Sequence, residues 1–411
     1  MIKKDTKRRV VVTGLGVVSS LGIGWEEFWK NLLAGKSGIS EISLFDHSMY
    51  DRHLAGEVRN FKAEDFLLKK RIQFLGRSSQ MAIAAVKLSL KDAELTVKNL
   101  QKLKFGFSLG TTMGESRVIE DIIKGYIKSK GRKAKPILTL QYPANVIGIN
   151  VLNELKLKGK LTIFANACAA GNYAVAHSFD LIRSGRADVM LAGGADSLSR
   201  IAFTGFGRLF AMAPEKCQPF DKNRKGMLVG EGSGILVLES LEHARKRKAN
   251  IYAEVLGYGM SSDAHHMTNP KEDGVVKAIQ KALKNSGVNP DQVDYISAHG
   301  TGTKENDKAE AGAINRVFGK RGGSVPVSSI KSMLGHTMGA ASAFESIACC
   351  LALKHQTIPP TINFSTPDPE CKINCVPNKN VKSKLKIVLN NSQAFGGNNA
   401  VLILRGINFE R

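Results

Sequence analysis

The feature that most constrains this chain is an alternation, begun twice, between short apolar runs and longer amphipathic stretches. "RVVVTGLG", "KFGFSLG", "LTIFANA", "DVMLAGG" and "GSGILVLES" are β-branched or aromatic enough to be buried strands. Between them lie stretches of helical spacing, among them "WEEFWKNLLAG" and "SSQMAIAAVKLSLKDAEL". After "RKRKANIYAEVLGYGMSSD" the theme restarts with "VDYISAHG", "VPVSSI" and "AVLILRG", with "GVVKAIQKALKNSG" as a further helix. Alternation of this kind predicts an α/β fold with largely parallel, buried sheets. No linker rich in Pro, Ser or Gly interrupts it. The seam near Asn250 therefore divides two halves, 1–250 and 251–411, that share one core.

Three loops that end strands carry reactive side chains. In "LTIFANACAAGNYAV", Cys168 stands between a strand and a helix with almost no bulk around it. A thiol at a helix N-terminus meets unsatisfied N–H groups and the positive end of the helix dipole, which predicts a pKa lowered toward a thiolate. Ala169, Ala170 and Gly171 leave the sulfur accessible, and the same N–H groups can hold an oxyanion. Taken alone, the segment reads more readily as a packed, buried cysteine. Company changes that reading. "SAHGTGTKENDKAEAGA" puts His299 at the end of a strand, followed by Thr301 and Thr303, and "VSSIKSMLGHTMGAASAFESIA" sets Lys331 and His336 five apart at a helix entry. Ligands of α/β sheets collect at the carboxyl ends of strands. Two histidines and a cysteine in such loops point to nucleophilic chemistry. "GLGVVSS" lacks the third glycine of a dinucleotide loop and reads as a tight turn.

The charge narrows the partners. The 411 residues carry 59 Lys plus Arg against 36 Asp plus Glu, a net +23, which attracts polyanions. The basic residues are spread out, with short clusters at "KKDTKRR", "KSKGRKAK" and "HARKRK", and no zinc-finger or RNP-like motif accompanies them. A basic face docking an acidic protein partner explains this balance as well as nucleic acid does, and a genomic bias toward lysine explains part of it without any partner. No apolar run approaches the roughly 18 residues of a membrane span. Six cysteines without framework spacing predict no disulfides and a cytoplasmic setting.

Read together and in order, the motifs resemble those of the β-ketoacyl-acyl carrier protein synthases, most of all the synthase II group of type II fatty-acid synthesis. The likeness runs from "RRVVVTGLGVVSSLG" through "PFDKNRKGMLVGEGSGILVLES" and "YGMSSDAHHMTNP" to "HGTGTKENDKAEA", "SIKSMLGHTMGAA" and "NNSQAFGGNNAVL". The resemblance implies a thiolase fold, two βαβαβαββ halves in five αβαβα layers, with the cysteine in the first half and the histidines in the second. It implies a Cys168, His299, His336 triad, with Lys331 supporting the second histidine electrostatically. Phe395 matches a gate whose backbone N–H joins that of Cys168 in the oxyanion hole. Thr301 and Thr303 match positions that hold a phosphopantetheine arm, Met113 and Phe206 match acyl-pocket positions, and Glu310 matches a buried acid near the site. The family needs no metal or redox cofactor, works on acidic carrier proteins and forms homodimers.

Departures fall on the acyl tunnel and its door. Asn166 stands where the family usually has Thr, and Gln393 and Ala394 precede Phe395 where Phe-Gly is usual. Met113 replaces a smaller branched residue, and the loop after Phe206 is shorter than usual. A ketosynthase of a specialised polyketide or polyene pathway would share the triad and alter these gates. A non-catalytic chain-length-type partner subunit would typically lack the cysteine.

Overall fold

The computed structural model describes residues 8–131 and 136–407. Residues 3–7 of the first basic cluster and 132–135 of the second lie outside them. Ten strands organise the chain: β1 Val10–Ser19, β2 Phe105–Gly110, β3 Lys160–Phe164, β4 Val189–Asp196 and β5 Gly232–Ser240, then β6 Ala253–Ser262, β7 Tyr295–Ser297, β8 Pro326–Ser328, β9 Ile387–Gln393 and β10 Asn398–Arg405. The first five lie in the order β3-β2-β4-β5-β1 and the second five in the order β8-β7-β9-β10-β6. Numbered within each half, both orders read 3-2-4-5-1. The doubled sequence theme is a doubled topology. The halves meet where Val10–Val12 of β1 pairs antiparallel with β6.

The sheets are mixed rather than largely parallel. Pairs β2-β3, β2-β4, β7-β8 and β7-β9 run parallel, whereas β4-β5, β5-β1, β9-β10 and β10-β6 run antiparallel. For one of these pairs the reason is connection length. Strands β9 and β10 are joined by only Ala394–Gly397, where Gly396 and Gly397 take φ of 80° and 78°, and so short a turn can only reverse the chain.

Seven helices fix the layers: α1 Arg77–Asp92, α2 Val146–Leu155, α3 Ala170–Arg183, α4 Arg200–Arg208, α5 Glu272–Ser286, α6 Lys304–Phe318 and α7 Ala341–His355. The two-residue period of the strands sorts their side chains between clusters. Leu236 and Leu238 of β5 face α3 and α7, while Ile235 and Val237 face α1 and α2. Leu402 and Leu404 of β10 likewise face α3 and α7, while Val401 and Ile403 face α5 and α6. Five layers result, with α3 and α7 buried between the sheets. Among the described residues no helix is long and apolar enough to cross a membrane.

Helices α3 and α7 meet closely because Gly171 of α3 faces α7; a Cβ there would lie 2.7 Å from Ala343 N. Asn390 on β9 donates to Asn172 Oδ1 and to the Ser342 carbonyl, both at 3.1 Å, and to Ser346 Oγ at 2.8 Å. Buried acceptors deprived of a donor lose their full solvation. Asn390→Ala is expected to cost about 2–3 kcal/mol, read as a lowered denaturation midpoint; an unchanged midpoint would show that this network does not hold the layers together.

Candidate active site

Cys168 is buried in a short 3₁₀ turn, Ala167–Ala169, between β3 and α3. Ala167 takes φ of 47°, a left-handed conformation costly for a residue with a Cβ, and it turns the chain so that the sulfur sits ahead of α3. The same device recurs before α7. Met338 takes φ of 54° and opens the 3₁₀ turn Met338–Ala340. His336 stands two residues upstream, and its Nδ1 accepts the Met338 N–H at 3.1 Å. His299 follows β7. Its backbone N–H donates to Glu310 Oε1 at 2.7 Å, and the Gly300 N–H donates to Oε2 at 2.7 Å. Asn391 anchors Glu310 in turn, at 2.6 Å.

These pieces converge. Cys168, His299 and His336 line one cavity, together with Thr301, Thr303, Phe206 and Phe395. The two imidazoles lie 5.4 Å apart between ring centroids, nearly perpendicular at 82°. The Thr301 and Thr303 hydroxyls are 2.9 Å apart, and Phe206 and Phe395 pack at 5.9 Å. Met113 does not reach the cavity. Its N–H is held by Asp196 at 2.9 Å, and its side chain joins the apolar cluster of Phe206, Phe203, Met212 and Met338 behind the wall.

Lys331 lies behind the site, on the first histidine rather than the second. Its Nζ donates to His299 Nδ1 at 3.2 Å and to the His299 carbonyl at 2.6 Å, and it pairs with Glu345. The resemblance implies support of His336, but the helical turn Lys331–Leu334 sets the Lys331 side chain against His299. Sequence reading missed Glu345, although one acid inside the otherwise apolar "AFESIACC" signals a buried partner. It also missed Asp307, which accepts the N–H groups of Thr301 and Gly302 at 3.1 and 3.2 Å. Asp307 and Glu310 share one helix face at i, i+3 and together shape the loop above them.

The electrostatics follow from burial beside a cation. Burial, then Lys331 and His336, push the His299 pKa well below its usual value; burial and Lys331 do the same to His336. Both rings are therefore neutral near pH 7. Because each Nδ1 accepts a hydrogen bond, each ring carries its proton on Nε2. The site thus offers two imidazole N–H donors. Burial also pushes Glu310 and Glu345 up to about 7.

Cys168 corrects the sequence expectation. Burial pushes its thiol up to about 11, against the pull of Lys331 and of the N–H groups of Phe395 and of Cys168 itself. Desolvation outweighs the helix end because the sulfur is nearly sealed from water. Alkylation by iodoacetamide, followed by intact mass, should therefore keep accelerating from pH 7 to 9.5 by about tenfold per unit. A plateau below pH 8 would restore the low-pKa thiol.

The model of "Beta-ketoacyl synthase, N-terminal domain" matches residues 7–244, and that of "Beta-ketoacyl synthase, C-terminal domain" matches residues 252–365. The chain is similar to 3-oxoacyl-[acyl-carrier-protein] synthase 2 of Coxiella burnetii, 39% identical over 97% of this chain and 98% of the relative. It is 37% identical to the Synechocystis protein of that name, with the same coverage. Among solved structures it is similar to the ishigamide ketosynthase/chain length factor, at 45% identity, TM-score 0.95 and coverage of 98% and 100%. It is also similar to a chain of a type II polyketide ketosynthase solved in complex with its acyl-carrier protein, at 33% identity, TM-score 0.89 and the same coverage.

Proposed function

The chain belongs to the beta-ketoacyl synthase family, and from that premise we propose that it condenses an acyl group held on Cys168 with a malonyl unit delivered by an acyl carrier protein. One observation carries the reading: a thiol and two neutral Nε2–H imidazoles share one cavity. In the first step the Cys168 sulfur bonds to the thioester carbon and the carbon–carrier sulfur bond breaks. The thiol proton ends on the departing carrier thiol. The malonyl thioester then loses CO₂ as its C–C bond breaks, and the electron pair moves to the thioester oxygen. His299 and His336 donate to that oxygen, where charge grows, and neither needs to transfer a proton.

The enolate carbon next attacks the acyl carbonyl. The N–H groups of Cys168 and Phe395 hold the tetrahedral oxyanion, and its collapse expels the Cys168 sulfur as thiolate, which takes up one proton from water. Lys331 acts through His299 as a positioning residue, with Glu345 and Glu310 fixing the pair. Thr301 and Thr303 hold the pantetheine arm. The acyl chain runs past Phe206 into the apolar cluster that includes Met113.

The surplus of 23 positive charges suits steering toward an acidic carrier. Ile123, Tyr126, Ile127, Leu140 and Tyr142 are exposed apolar residues, and they suit pairing with a second copy. A second reading has its own support. Identity to the ishigamide ketosynthase/chain length factor, 45%, exceeds the 39% to the Coxiella burnetii synthase 2, which favours a specialised pathway over housekeeping fatty-acid synthesis.

Mixing the protein with acyl-carrier proteins of graded length and measuring intact mass tests the first step. Cys168→Ala should show no acyl adduct. His299→Ala and His336→Ala should keep the adduct yet slow malonyl decarboxylation by about 10²–10³; full condensation by either variant contradicts the assignment. Carrier association should slow markedly with rising salt, and a salt-insensitive rate would remove the role given to charge.

A further inference from the structure

Gln393 ends β9 and lines the catalytic cavity, yet it is 2% exposed and neither its Oε1 nor its Nε2 has a hydrogen-bond partner among the described residues. A buried amide with both atoms orphaned carries a desolvation penalty on each, and such a group is found where a ligand completes it. Its place in the wall is set by strand alternation. Ser392 faces Cys168, bonding its carbonyl at 3.3 Å, while Asn391 faces Glu310 on the opposite side of the strand. Gln393 shares the Asn391 face, the one toward the loop that carries His299, Thr301 and Thr303.

We propose that Gln393 recognises the carrier arm by pairing its side-chain amide with the amide nearest the thioester sulfur. Satisfaction chooses the ligand class. A carboxylate could accept from Nε2 but would leave Oε1 orphaned beside negative charge. A methylene chain would satisfy neither atom. A secondary amide offers one N–H and one C=O, and it closes both. Distance along the chain chooses which amide. Gln393 is adjacent to Ser392, which bonds the Cys168 carbonyl, and it lies two residues from Phe395, whose N–H reaches the sulfur. The first amide of the arm is only two methylenes from the thioester sulfur. The inference rests on the carrier-dependent condensation proposed above and names a specificity residue for it.

The test compares acylation by an N-acetylcysteamine thioester with acylation by the pentanethiol thioester of the same acyl group, which replaces that amide with two methylenes. Wild-type protein should lose roughly tenfold or more in kcat/KM on losing the amide, and Gln393→Leu should flatten that ratio to within about twofold. The leucine variant should also denature no earlier than wild type, since it removes two orphaned polar atoms; a purely structural glutamine would instead lower the midpoint. Gln393→Glu supplies a second variant and should be slowed on the amide thioester by the loss of its donor. Equal amide penalties in wild type and Gln393→Leu would overturn the proposal while leaving condensation intact. Failure of wild type to be acylated by either thioester or by any acyl-carrier protein would instead overturn the enzymatic reading beneath it.

Discussion

Polar atoms on the two helices between the sheets are cut off from bulk water, and the molecule is built around that condition. Small residues let α3 and α7 approach, as at Gly171, and Asn172, Asn390, Ser342 and Ser346 answer one another's hydrogen bonds where they meet. Packed on both sides, the helices cannot shift without disturbing both sheets. Their N-terminal ends open on the cavity, so Cys168 and the loop of His336 inherit the rigidity of the core. A proposed reaction that depends on several donors meeting one developing charge benefits from such fixed mounting.

Buried charge is then used sparingly. Lys331 reaches His299 from behind and leans on Glu345, so its cation is compensated yet still close to both imidazoles. Burial first and this cation second keep the rings neutral, and its contact fixes the proton of His299 on the nitrogen turned away from it. A lysine touching His336 instead would compete with the Met338 N–H for the same acceptor. The sulfur sits under the opposing influence of desolvation and the surrounding donors, and desolvation prevails. A resting thiol in such a site is guarded against adventitious chemistry; its proton need leave only as a bound thioester is attacked.

Much of this was legible before any coordinates. The strand-helix alternation carried the α/β class and the doubling because buried strands must be apolar whatever they pair with. Direction of pairing was not read, since Ile387–Gln393, which ends in the polar "NNSQ", was not among the expected strands, and without it the tight turn at "AFGG" has no pair to reverse. The loops of Cys168, His299 and His336 stood out because glycine and alanine around a reactive side chain are costly unless something must come close. The partner of Lys331 was misread because the resemblance alone supplied it, and a sequence does not show which way a short helical turn faces. The thiol's ionisation was misread because a helix end is visible in sequence and the depth of burial is not.

The two halves also explain why a duplicated fold carries its sulfur only once. Ala167 and Met338 are equivalent left-handed residues, each opening a 3₁₀ turn into a middle-layer helix, which makes Gly339 the counterpart of Cys168. A side chain at 339 has no room: a Cβ would lie 2.6 Å from Thr111 Cα and from Thr112 N. Asp196 bridges that contact, taking the N–H groups of Gly339 and Thr112, each at 2.7 Å, and the Met113 N–H at 2.9 Å. One copy of the turn therefore presents a thiol to the cavity. The other surrenders its side chain so that the Thr111–Met113 segment can press against it and set the apolar cluster behind Phe206. Placement of the thiol and packing of that apolar cluster thus fall to two versions of one structural element, and under the function proposed above a change at Met113 alters the second with the first still held by α3.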